Sequence, residues 1–85
     1  MMINRDIQIF ILRALLAAND SPMTHDELSQ AIRTGFMRVA FTAADIDHHI
    51  NMAEVAELIS GTSDQVFGLM WALTPRGKIK AQQLR

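Results

Sequence analysis

The densest run of chemically capable side chains is Asp45-Ile46-Asp47-His48-His49. Carboxylate oxygens and imidazole nitrogens are zinc ligands, and on a helix Asp45 and His49 stand one turn apart, near enough to share an ion. Zinc needs three or four ligands, and the one other histidine is the distant His25. The run is therefore read as a helix start. Its carboxylates sit where the helix dipole favours them, and His49 turns partly inward. No metal or other cofactor is expected. Nucleophilic catalysis has no better footing: Ser21, Ser29, Ser60 and Ser63 lack the flanking glycines of a nucleophile elbow. No glycine-rich loop leads into a helix to cradle a phosphate. The acidic residues fall mostly at helix starts, where capping accounts for them. The expectation is a protein that is not an enzyme.

The whole chain bounds these readings. Its 85 residues, 49% of them hydrophobic, suit one domain over residues 1–85 with one core. The absence of cysteine excludes disulfides and thiolate sites, and in so small a domain it points to a reducing, cytoplasmic setting. Ile7 to Leu16 is largely apolar, but Gln8 and Arg13 interrupt it and Asn19-Asp20-Ser21-Pro22 reads as a helix stop. Neither a signal peptide nor a membrane span is expected from so short a run. The formal charge is −1 and the sequence pI about 6.2, without the basic balance of dedicated nucleic-acid binders.

Asn4 is placed to cap a first helix from Arg5 to about Ala18. Ile7, Ile11 and Leu15 form one apolar stripe on it, and Ile9, Leu12 and Leu16 an adjacent one. This is more apolar surface than a surface helix needs, so the helix is central or shared with another chain. Thr24-His25-Asp26-Glu27 has the form of a capping box. It opens a second helix to about Thr34, with Leu28, Ala31 and Ile32 inward and Gly35 as the stop. Phe36 to Phe41 is a packed connection. Thr42 caps a third helix with Asp45 at its third position and Ile46, Ile50 and Ala53 inward, ending between Glu54 and Leu58. Leu58 to Thr62 reads as a strand, Thr62 to Gln65 as a turn, and Phe67 to Leu73 as the return strand, with Phe67, Leu69, Trp71 and Leu73 on one face. Thr74-Pro75 opens a last helix with Ile79, Ala81 and Leu84 inward. Of the six methionines, Met37 and Met70 are assigned to the core and Met52 to the surface.

Three helices, a two-stranded hairpin and a C-terminal helix make an α+β chain whose order resembles the winged helix-turn-helix architecture. Two segments sharpen the resemblance. Pro22-Met23-Thr24-His25-Asp26-Glu27-Leu28 resembles the link and second-helix start common in that superfamily. Leu73-Thr74-Pro75-Arg76-Gly77-Lys78 resembles the junction between wing and last helix in small bacterial MarR-like and PadR-like regulators. Three features depart from the pattern: a long connection before the third helix, a wing tip Thr62-Ser63-Asp64-Gln65 without a basic residue, and an acidic third helix.

The resemblance implies a dimeric regulator of transcription that binds double-stranded DNA. The third helix would lie in the major groove with Asp47, His48 and Asn51 facing bases, and Arg33, Arg38 and Lys78 would contact phosphates. Ile7, Phe10, Ile11 and Leu84 would pair two protomers. The alternative on the same fold is a protein-interaction module, an adaptor or inhibitor that does not bind DNA. Near-neutral charge and the acidic residues Asp45, Asp47 and Glu54 favour it.

Overall fold

The computed structural model describes residues 3–18 and 21–83. Along the chain run α1 (Ile3–Ala17), β1 (Met23–Thr24), α2 (His25–Gly35), α3 (Ala43–Val55), β2 (Ile59–Asp64), β3 (Gly68–Leu73) and α4 (Pro75–Gln83). This is an α+β fold with four helices and one antiparallel sheet of order β1-β3-β2.

The double stripe of α1 has its explanation in this layout. The helix packs against α2, α3, α4 and β3, so it needs more than one apolar face. Ile7 and Ile11 are fully buried, with Leu12 and Leu15 nearly so, against Leu28, Ile32, Ile46, Ile50, Ile59 and Trp71. The helix starts at Ile3, one residue before Asn4, so Asn4 is not its cap. Ser21 and Pro22 lie outside any helix, as the expected stop requires, while Asn19, Asp20, Leu84 and Arg85 fall outside the described residues.

Local chemistry sets the other helix starts. Thr24 Oγ1 accepts from the Glu27 amide at 3.1 Å, while the Thr24 amide donates to Glu27 Oε1 at 3.0 Å. The same reciprocal box recurs at α3. There Asp45 does more than favour the dipole, because Thr42 and Asp45 exchange bonds of 3.0 and 3.1 Å. At α4, Thr74 Oγ1 accepts from the Gly77 amide at 3.0 Å and Pro75 takes the first helical position.

Four expectations are corrected by the structure. Met23 and Thr24 pair with Trp71 and Met70 as a third strand, too short to show a period in the sequence. The hairpin turn lies two residues later than expected. Asp64 Oδ1 accepts from the Val66 and Phe67 amides at 2.7 and 2.9 Å, and Gly68, at φ 77°, completes the reversal. Phe67 therefore stands exposed in the turn instead of on the inner face of β3. Ile79 is also exposed: Gly77 and Ala81, one turn apart, form the inner face of α4, because Gly77 lies directly on the Leu58 carbonyl. Met37, assigned to the core, is exposed in the α2–α3 connection. That connection is held by Phe36 and Phe41, which meet edge to face at 6.3 Å.

Candidate functional site

Burying Ile46, Ile50 and Ala53 leaves Ala44, Asp47, His48, Asn51 and Glu54 on the outer face of α3. The hairpin rises beside that face. Between them is an open cleft of about 500 Å³, with Ile50, Leu69 and Trp71 as its floor and Asp47 and Glu54 at its rim. The three residues expected to face bases, Asp47, His48 and Asn51, all line this cleft.

The cleft is anchored by a chain of polar contacts from core to surface. Trp71 is 5% exposed, and its indole Nε1–H donates to His25 Nδ1 at 3.1 Å. His25 Nε2 lies 2.8 Å from Asp47 Oδ1. An indole nitrogen can only donate, so Nδ1 must be the unprotonated nitrogen of His25, and Nε2–H then donates to the carboxylate. Three elements, β3, α2 and α3, are joined through one imidazole. The sequence pattern holds no signal for this: His25 and Trp71 are far apart in the chain, and local spacing presents His25 only as the residue after a cap.

The residues expected on phosphates do not gather around the cleft. Arg33, in the last turn of α2, donates to the Phe41 carbonyl at 2.7 Å and so ties down the α2–α3 connection. Arg38 is exposed in that connection. Lys78 lies half-buried on α4, a helix that packs on α1 and β3, and does not line the cleft. Between Arg38 and Arg76 the chain has no Lys or Arg, while Asp45, Asp47, Glu54, Glu57 and Asp64 are all acidic. The same stretch is rich in exposed apolar groups. Of the seven large hydrophobic residues exposed among the described residues, Met52, Val55, Val66, Phe67 and Leu69 lie on α3 or the hairpin.

The residues expected to pair protomers are placed differently. Ile7 and Ile11 have no exposed surface, so the chain's own core accounts for their apolarity. Phe10 is half-buried with its ring 5.4 Å from that of Phe36, and Leu84 lies outside the described residues.

Asp45 and His49 do not form a ligand pair. Asp45 is committed to its capping box, and those hydrogen bonds from Thr42 hold its carboxyl below the ordinary carboxylate value. His49 is 8% exposed, with its ring edge-on to Phe41 and Nδ1 buried without a hydrogen-bond partner. Burial lowers its pKa, with His48 adding to the effect and Asp45 opposing it. Among the described residues, no group of three or more histidines and carboxylates is placed to hold a metal. No described helix is long and apolar enough to cross a membrane. Comparison of the chain with protein-family models, curated proteins and solved structures finds no match.

Proposed function

We propose that this chain is a winged-helix protein-interaction module that engages its partner through the face formed by α3 and the β2–β3 hairpin. Helix, short strand, two helices, hairpin and closing helix follow in the winged-helix order, with the return strand of the hairpin at the centre of the sheet. In that architecture α3 and the hairpin are the usual contact elements. Fold alone does not choose between DNA and protein, so the choice rests on the chemistry of that face.

One observation carries the choice: the stretch from α3 through the hairpin holds five carboxylates, no Lys or Arg, and most of the exposed large hydrophobic surface. DNA affinity comes largely from cationic side chains that displace counterions from phosphates, and neither α3 nor the hairpin carries a Lys or Arg. Apolar groups such as Phe67 and Val66 at a hairpin tip also gain little from a phosphate backbone. They gain from burial against another protein, at roughly 25 cal/mol per Å² of apolar surface removed from water. Of the cations a DNA-binding homodimer would use, Arg33 lies near the start of α3 but donates to the Phe41 carbonyl, and Lys78 lies on α4.

The test is fluorescence anisotropy with random-sequence duplex DNA at low and moderate salt. No binding is expected even at low salt. Micromolar, salt-sensitive binding that strengthens in Asp47→Ala and Glu54→Ala would establish α3 against phosphates and restore the DNA-regulator reading.

A further inference from the structure

We propose that the cleft between α3 and the hairpin takes a cationic, amphipathic helical segment of a partner protein, with two basic side chains spaced two turns apart and apolar side chains between them. This rests on the protein-interaction reading above and adds the chemistry of the occupant.

The floor and the rim of the cleft ask for different things. The floor is apolar: Ile50 and Trp71 are almost fully covered, and Leu69 remains 40% exposed. On the hairpin side Gly61 contributes no side chain, and a Cβ there would come within 2.9 Å of the Trp71 ring. Gly61 is the cross-strand partner of Trp71, so the indole and the Leu69 side chain lie across its Cα and form that wall of the cleft. A surface of this kind is satisfied by apolar side chains inserted from outside. The rim is anionic: Asp47 and Glu54 are exposed on one face of α3, with Asn51 between them. None of the described residues lining the cleft is a Lys or Arg; beside it, Asp47 meets His25, and Glu54 shares a neighbouring pocket with Arg76.

Spacing turns this into a recognition pattern. Asp47 and Glu54 are seven residues apart, two helical turns or about 10 Å along the axis at 1.5 Å per residue. A partner helix lying along α3 matches them with Lys or Arg at its own positions i and i+7. Its positions i+3 and i+4, on the same face, then point at Leu69 and the Trp71–Ile50 floor. The carboxylates fix register and orientation, and the apolar pair supplies the buried area. Asp47 is further held in place by its bond to His25.

Two alanine-based 14-residue helical peptides test this. One carries Lys at positions 3 and 10 with Leu at 6 and 7; the other has Glu in place of Lys. Fluorescence of Trp71, the one tryptophan in the chain, reports binding, and backbone amide shifts locate it. The Lys peptide is expected to bind at least tenfold more tightly than the Glu peptide and to shift amides of α3 and the hairpin. The double variant Asp47→Asn, Glu54→Gln should abolish that difference while leaving the fold intact, because the side-chain amide oxygen introduced by Asp47→Asn still accepts from His25. Leu69→Ser should weaken the Lys peptide without touching the core. Equal affinity for the two peptides would overturn the cationic occupant and leave the interaction module standing. Shifts of the same amides on concentrating the protein alone at about 0.3 M salt, where weak ionic association between copies is screened, would overturn it in favour of a second copy. Absence of shifts with either peptide would also overturn it, and duplex DNA shifting those amides would overturn both readings.

Discussion

At the residue scale, two histidines divide the polar duties of the interior between them. His25 satisfies the indole N–H of a tryptophan that is almost wholly buried, and passes the interaction on to Asp47. Replacing His25 by Leu leaves that N–H without an acceptor, at a cost of about 1–3 kcal/mol. In a Trp71→Phe background the same replacement should cost much less, since the donor is gone. Urea unfolding of the four proteins completes the cycle, and a coupling near zero would mean the bond contributes nothing. His49 is the opposite case, a buried imidazole with an unanswered nitrogen and a lowered pKa. Below its ordinary value of 6.5, the unfolded chain takes up a proton that the folded ring refuses. Stability should therefore fall as pH drops below about 6.5. Asp45 and Asp64, with carboxyls held low by hydrogen bonds, add their own loss only as pH falls below 3.8. The difference between urea midpoints at pH 7.5 and 5.5 should shrink in His49→Leu, and an unchanged difference would remove His49 as its source.

At the scale of elements, the passage from α3 through β2 to α4 is held by backbone geometry. The Leu58 amide donates to the Ala53 carbonyl and the Glu57 amide to the Glu54 carbonyl, the paired bonds that close a helix through a left-handed residue. That residue is Glu57, at φ 62°, where glycine is the usual occupant. Its carboxylate makes only a 3.8 Å contact with Arg76, both side chains being well exposed, so little is lost with it. Glu57→Gly should accordingly stabilise the fold by about 0.5–1 kcal/mol, read as a raised urea midpoint. Gly77 is the reverse. A Cβ there would overlap the Leu58 carbonyl oxygen, so Gly77→Ala must push α4 off the sheet, at about 1–3 kcal/mol or more. A neutral Gly77→Ala would mean the helix can slide without cost. These contacts also explain what the sequence could and could not reveal. The capping boxes at Thr24 and Thr42 and the Thr74-Pro75 start were legible because every participant lies within three residues. The inner stripes of α1, α2 and α3 were legible because burial repeats with the helical period. The exposure of Ile79 is decided by Gly77 meeting the distant Leu58, whereas that of Phe67 follows from a local choice between two overlapping turns, settled when Asp64 captures the Val66 and Phe67 amides. Of the candidate site, the exposure of Asp47, His48 and Asn51 follows from helix phase, and their choice as contact residues from the winged-helix resemblance. The floor of Leu69, Trp71 and Gly61 was not legible, because it depends on how the hairpin lies against α3.

At the scale of the whole molecule, a net charge of −1 conceals an uneven distribution. Residues from Val39 to Pro75 carry five carboxylates and no Lys or Arg, whereas all eight basic residues lie in the segments before and after. One of those segments forms α4, where Arg76 and Lys80 flank the exposed Ile79. That helix presents to a neighbouring molecule a weak version of the cationic, apolar chemistry that complements the α3–hairpin face. A contact of α4 on one copy with α3 and the hairpin on another joins two different surfaces, and where it is not reciprocated about a two-fold axis it does not close into a symmetric pair. It differs in kind from a dimer through α1, whose Ile7 and Ile11 are already enclosed. Charges separated by solvent are screened beyond about 10 Å at 0.1 M salt, so such association should be feeble and ionic. Sedimentation at low ionic strength should show an average mass that climbs with protein concentration without a plateau at twice the monomer. The mass should return to that of the monomer at about 0.3 M salt, where screening is stronger. Lys80→Glu should suppress the rise at low salt by removing one of the attractive charges. A salt-independent plateau at the dimer mass would instead identify a closed apolar interface and return α1 and α4 to the role of pairing two protomers.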